Sequence, residues 1–258
     1  MSPSQAGQAY LSFFNQALPS GYYKPSLHGY APLYRACWIN SENEERLRHR
    51  DGFANPPPDR CDSNRLNIAL HPLFYAAWNW TTAIREIEKE SRDGKRLYIS
   101  RWDFADDRQW AICDAMPRLG LNEQADLFRR EMEVRTQEWA ESNMPKDPER
   151  ARFLNDVFSR FLVADASVYP LTQWFGHSLL YEMPKGSRPE VIVYPSVAHE
   201  QASLCVALHP DAIKESRLTL SAVVEIELED LEVADASLEL RIAQMRLASV
   251  RGMDVTWR

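Results

Sequence analysis

Three side chains suited to an anionic, hydroxyl-rich ligand fall within one short stretch: a guanidinium at Arg65, a phenol at Tyr75 and a carboxylate at Glu86. An arginine grips a phosphate with a fork of N–H donors. A tyrosine offers an apolar ring face and a hydroxyl. A carboxylate accepts from ribose hydroxyls and stabilises developing positive charge. Together they would form a cup for a ligand carrying both a phosphate and a ribose. Each residue also has an ordinary structural reading. Arg65 can be a surface cation beside a Pro-rich loop, and Tyr75 a strand aromatic that fills the core. Glu86 can be a solvated helix residue three positions before Lys89. Their spacing leaves both readings open.

The elements that must position them are legible. Leu73 to Ala77 is a short apolar run behind Pro72, which suits a buried strand. Asn79, Thr81 or Thr82 can cap a helix, on which Ala83, Ile84 and Ile87 recur at helical spacing. The stretch therefore reads as loop, strand, helix. Pro56-Pro57-Pro58 makes the segment before Arg65 a loop, because proline is excluded from helix interiors and central strands.

Elsewhere, residues 1–30 read as an extension with a short apolar helical face (Tyr10, Leu11, Phe13, Phe14, Leu18), docked on the body or on another subunit. Leu33 to Trp38 reads as a strand. Arg35 inside it needs an anionic partner, a carboxylate or a ligand phosphate. Ser41 to Arg50 is a charged run that suits a solvated helix face. Arg96 to Trp102 is another strand. Residues 103–166 read as a helical insertion, with helical periodicity over Ala111–Leu119, Asn122–Ser142 and Asp147–Ala166. Its aromatics suit a core better than a binding platform. Pro170 to Tyr181 is a short helix holding His177, read as a core histidine. Val191–Ser196, Ser203–Leu208 and Leu218–Leu228 are strands, with Glu225, Glu227 and Glu229 on the wet face. Leu231 to the end is weakly patterned. Residues 31–230 thus form the main domain, with 231–258 packed on it. The fold class is α+β.

A formal net charge of -7 argues against nonspecific nucleic-acid binding, which needs a broad basic surface. The four cysteines, Cys37, Cys61, Cys113 and Cys205, include no Cys-x-x-Cys pair. That speaks against a zinc knuckle and for reduced thiols in the cytoplasm. No signal peptide or membrane span is visible.

An ordered set of residues resembles the RES domain, the toxin half of RES–Xre toxin–antitoxin pairs. The set is Arg65-x-Asn67, Pro72, Tyr75, Ala77, Thr82-Ala83, Glu86 and Tyr194-Pro195-Ser196-Val197, with Leu33-Tyr34-Arg35-Ala36 as the opening strand. The resemblance implies an ADP-ribosyltransferase-like fold, a split β-sheet core flanked by helices. It implies NAD+ as substrate, with no further cofactor or metal, and an Xre-like antitoxin as partner; a homo-oligomer stays open. By the same resemblance the catalytic set is Arg65, Tyr75, Glu86 and Ser196. The ligand-binding set is Arg35, Arg65, Asn67, Tyr75, Tyr194 and Ser203. A macromolecular ADP-ribosyltransferase, or an inactive nucleotide-binding module, is the competing reading. The chain departs from the family pattern at Asn64 and Leu70, where the family carries glycine. It departs again after the Tyr-Pro-Ser turn, where Ala198 and Glu200-Gln201-Ala202-Ser203 replace an arginine and a glycine-rich loop.

Overall fold

The computed structural model describes residues 22–23, 27, 31–40, 43–88, 96–105, 108–116, 123, 126–128, 130–131, 159–162, 169–183, 188–199, 201, 203–215, 217–234 and 237–257. The expected N-terminal helix and most of the expected helices between 117 and 168 lie outside them. The fold is α+β, built on one ten-stranded mixed sheet.

The strands are β1 (Tyr22–Tyr23), β2 (Leu33–Trp38), β3 (Phe74–Ala77), β4 (Arg96–Phe104), β5 (Ile112–Asp114), β6 (Val191–Pro195), β7 (Leu204–Leu208), β8 (Leu218–Ala234), β9 (Ser237–Arg251) and β10 (Asp254–Trp257). Their order across the sheet is β1-β5-β6-β7-β3-β2-β4-β8-β9-β10. All neighbours are antiparallel except β5 and β6. The helices named here are α1 (Trp80–Ile87), α2 (Tyr169–His177), continued by a π-helical turn at Ser178–Glu182, and α3 (Asp211–Lys214).

Strand alternation sends side chains to two cores. Phe74, Ala76, Leu204, Val206 and Leu208 join Trp102, Phe53 and Trp110 on one face. Ala77, Cys205, Ala207, Ile192 and Tyr194 join Ile84, Leu97 and Leu179 on the other, beneath α1 and α2. Removing a large side chain such as fully buried Trp102 or Phe74 from water contributes about 1.5–3 kcal/mol.

One pairing is weak, and it matters for the site. β2 and β4 share six register pairs, but β2 and β3 share only Tyr34↔Ala77. The sheet opens between β2 and β3.

Three expectations need correction. Ile112–Asp114 is a strand, not part of a helix. It lies between β1 and β6 with residues 111–116 all buried, so no alternation between wet and dry faces betrays it. The charged run is not a regular helix face. It forms two 3-10 turns, Glu45–Arg48 and Arg50–Phe53, that bury Leu47 and Phe53. Glu225 is not on a wet face: it is buried, and its two carboxylate oxygens take Arg96 at 2.8 Å and Arg246 at 2.6 Å. Glu227 and Glu229 are exposed, with the ladder irregular between Glu227 and Asp230. The tail that carried little pattern supplies the end of β8, then β9 and β10, a long hairpin and its edge strand.

Candidate active site

Glu86 reaches the site because α1 starts where it does. Asn79 is the N-cap: its side-chain oxygen accepts from Thr82 N at 2.7 Å, and its amide donates to Ser203 Oγ at 3.1 Å. A cap of this type stabilises a helix by about 1 kcal/mol. Thr82 Oγ1 is 2.8 Å from His199 Nδ1, which fastens the turn after β6 to the start of the helix. Ala83, Ile84 and Ile87 bury the inner face, and Glu86 comes up half-buried on the turn above them.

The carboxylate is held at one oxygen. Ser196 Oγ donates to Glu86 Oε1 at 2.5 Å, and Cys205 Sγ donates to the same atom at 3.4 Å. Ser196 is fully buried at the end of β6, and its Oγ also accepts from His199 N at 3.1 Å. Burial first, then the Glu86 carboxylate, pushes the Cys205 thiol well above its ordinary value, so it remains a donor.

Arg65 sits on a loop tied to β3 and α2. Its guanidinium donates to the Leu162 carbonyl and, at 2.8 Å, to Tyr169 Oη, with the Tyr169 ring centre 5.0 Å away. Thr172 Oγ1 donates to the Arg65 carbonyl at 2.6 Å. Gly176 lets the helix press on the loop: a Cβ there would lie 2.3 Å from the Leu66 carbonyl oxygen. Tyr75 Oη accepts from Leu66 N and donates to Asn67 Oδ1, both at 3.0 Å. That hydroxyl is occupied with the loop, so a ligand role for Tyr75 falls to its ring. Burial raises the Tyr75 pKa, which keeps the phenol neutral.

The sheet opening becomes a cavity of about 850 Å³. Ligand sites commonly occupy about 300–1,000 Å³. Arg35, Arg65, Asn67, Tyr75, Glu86 and Tyr194 all line it. Arg35 and Tyr34 come from opposite faces of β2, so the cavity reaches through the gap beside that strand. Arg35 donates to the Tyr75 carbonyl at 3.1 Å, bridging the two diverging strands. Buried Asn67 has its amide donating to the Asp62 and Ile68 carbonyls, so it shapes the loop. Ser196 stands behind Glu86 and does not line the cavity. Ser203 does not line it either: it is buried, accepting at Oγ from Asn79 and at its carbonyl from Ser196 N.

Several wall residues had no sequence expectation. Among the described residues, Arg60 and Arg85 line the wall with Arg35 and Arg65, and Asp62 lines it with Glu86. Tyr169 and Cys205 also line the wall. Arg85 left a trace in the sequence, a cation between Ile84 and Ile87 on an apolar helix. Cys205 left none, since it reads as one more small apolar residue of a buried strand.

Two departures from the family pattern fall on unusual backbone. Leu70 has φ 68° and Gln201 has φ 63°, the left-handed region that favours glycine. The backbone keeps that conformation in the Arg65 loop and in the turn after Ser196 without the residue that adopts it most cheaply. Leu70 N donates to the Cys61 carbonyl at 2.9 Å, and Gln201 N to the Ser196 carbonyl at 2.6 Å, which holds both turns closed.

No helix among the described residues is long and apolar enough to cross a membrane. No curated protein matches the chain. The profile of the RES domain matches residues 32–229, from the start of β2 to the long strand β8. That span covers most of the chain and every residue of the cavity wall, and the chain belongs to the RES domain family.

Proposed function

We propose that this protein consumes NAD+ by cleaving the bond between nicotinamide and ribose. One observation carries the reading. A carboxylate with one oxygen anchored, Glu86, shares a single cavity with Arg65, Arg35 and the rings of Tyr75 and Tyr194.

The chemistry follows from those groups. Heterolysis of the glycosidic bond sends its electron pair to the nicotinamide nitrogen and leaves an oxocarbenium-like ribose. Glu86 accepts hydrogen bonds from the ribose hydroxyls and stabilises the positive charge as it grows. The arginines hold the pyrophosphate, so the reacting carbon stays in register with the carboxylate. The tyrosine rings offer faces for the bases. Water then takes the ribosyl carbon to give ADP-ribose and a proton, or phosphate takes it to give the 1-phosphate ester. No metal and no covalent enzyme intermediate is needed on this route. In a RES–Xre pair, this activity would be the toxin and an Xre-type antitoxin its partner.

Incubation with NAD+, with and without phosphate, tests the reading. Free nicotinamide together with ADP-ribose or its phosphate ester supports it. Radiolabel transferred from NAD+ to a macromolecule would point to an ADP-ribosyltransferase. Binding of NAD+ with no nicotinamide released would make the chain a binding module.

A further inference from the structure

The hydrogen bonds to Glu86 are one-sided. Ser196 and Cys205 both donate to Oε1, whereas Oε2 receives no hydrogen bond from any described residue. Glu86 is half-buried and lines the cavity, so Oε2 is the oxygen left for a ligand. The two donors arrive from adjacent antiparallel strands, where Pro195 pairs with Leu204 and Tyr194 with Cys205. Cys205 also pairs with Ala77 on its other side. Ala77, Cys205 and Tyr194 thus form one row across three strands, under the carboxylate.

We infer that Cys205 is a positioning residue: with Ser196 it fixes Oε1 of Glu86, so that Oε2 is presented to the ribose. This rests on the reading of Glu86 as the group that stabilises the cleaved ribose. A carboxylate free to rotate exchanges its two oxygens and loses aim at the reacting carbon. Two donors converging on one oxygen remove that freedom before substrate arrives, and preorganisation of this kind acts on the chemical step more than on binding. A thiol is a weak donor, and a buried one usually serves as a small apolar filler. The direction of this thiol distinguishes it from filler. It stays protonated beside the carboxylate, and its sulfur lies within bonding distance of the oxygen that Ser196 also holds.

The test compares Cys205→Val, Cys205→Ala and Cys205→Ser in the full chain. Steady-state release of nicotinamide from NAD+ and the infrared carboxylate band of Glu86, assigned by its disappearance in Glu86→Gln, are the readouts. Cys205→Val removes the donor and adds the bulk of about one methyl group, whereas Cys205→Ala removes the donor and leaves the space of the sulfur empty; the valine protein is the first comparison. It should lower kcat about tenfold, as for a hydrogen bond to a charged group, with KM within about twofold. Cys205→Ser, which restores a donor, should recover most of kcat, and the carboxylate band should move in Val and Ala but return in Ser. Should the valine protein not fold, the alanine protein carries the same comparison. Unchanged kcat and an unmoved band in Val and Ala would overturn the inference. So would a serine protein no better than valine. If the wild type releases no nicotinamide, the functional reading fails. The infrared comparison then still decides whether Cys205 holds Glu86.

Discussion

Ser196 Oγ lies 2.5 Å from Glu86 Oε1, although 110 residues separate them in the chain. One stands where β6 ends, the other on the last turn of α1, and the contact joins the two halves of the RES signature. The geometry gives Ser196 a supporting part. Replacing it with alanine should lower kcat about tenfold while KM changes little, as expected for losing a hydrogen bond to a charged group. Initial rates over a range of NAD+ concentrations check this. A KM effect alone would place Ser196 on the ligand instead.

Arg65→Lys should act on binding. Lysine keeps the charge but cannot reproduce the planar fork or the stack against Tyr169. KM for NAD+ should rise about tenfold, with kcat within about threefold. Tyr169→Phe keeps the ring and removes the oxygen acceptor, so it should show a smaller effect in the same direction.

Gly176→Ala should damage the site from outside it. The added Cβ meets the Leu66 backbone at 2.3 Å, and neither backbone yields easily. Overpacking of this kind costs about 1–3 kcal/mol. Urea denaturation should report that loss, and KM should rise because the loop under pressure carries Arg65.

Leu70 offers the opposite experiment. At φ 68° a leucine is strained by roughly 1–2 kcal/mol, while glycine loses more chain entropy on folding. Leu70→Gly should therefore leave stability unchanged or raise it by up to about 1 kcal/mol. A clear loss in the urea midpoint would show that the exposed leucine makes contacts worth more than the strain.

Acid should destabilise the protein through the cluster around Tyr181. His209 is held down at about 4 against an ordinary 6.5, by burial first and then by Arg188. A group whose folded value is depressed contributes stability that is present above its unfolded value. That contribution is complete above about pH 6.5 and is lost as pH falls towards about 4. His177, lowered by burial and then by His71, adds to the same trend. Urea midpoints measured at pH 7 and pH 4.5 should differ less in His209→Asn than in the wild type.

Much of this architecture could be read from the residues. The loop, strand and helix from Arg65 to Glu86, the cap at Asn79 and the strands around Tyr194 and Cys205 carry local signals of turn chemistry and apolar pattern. Arg65, Tyr75, Glu86, Arg35, Asn67 and Tyr194 line one cavity, and the family resemblance implied all of them as site residues. What stayed hidden depends on long-range packing. β5 is buried on both faces, and β9 depends on its partner β8 for definition. Ser203 was expected at the ligand and instead lies buried just before β7, where its Oγ accepts from Asn79 and its carbonyl from Ser196 N, contacts that no local signal announces. Tyr169 and Cys205 reach the site only through tertiary contacts.

The most direct measurement is the rate of nicotinamide release from NAD+ by the wild type and by Glu86→Gln, followed by chromatography. The wild type should release nicotinamide, and the variant should be slower by about a hundredfold or more, the effect of removing a preorganised charge stabiliser. A Glu86→Gln protein that releases nicotinamide as fast as the wild type would contradict the role assigned to Glu86.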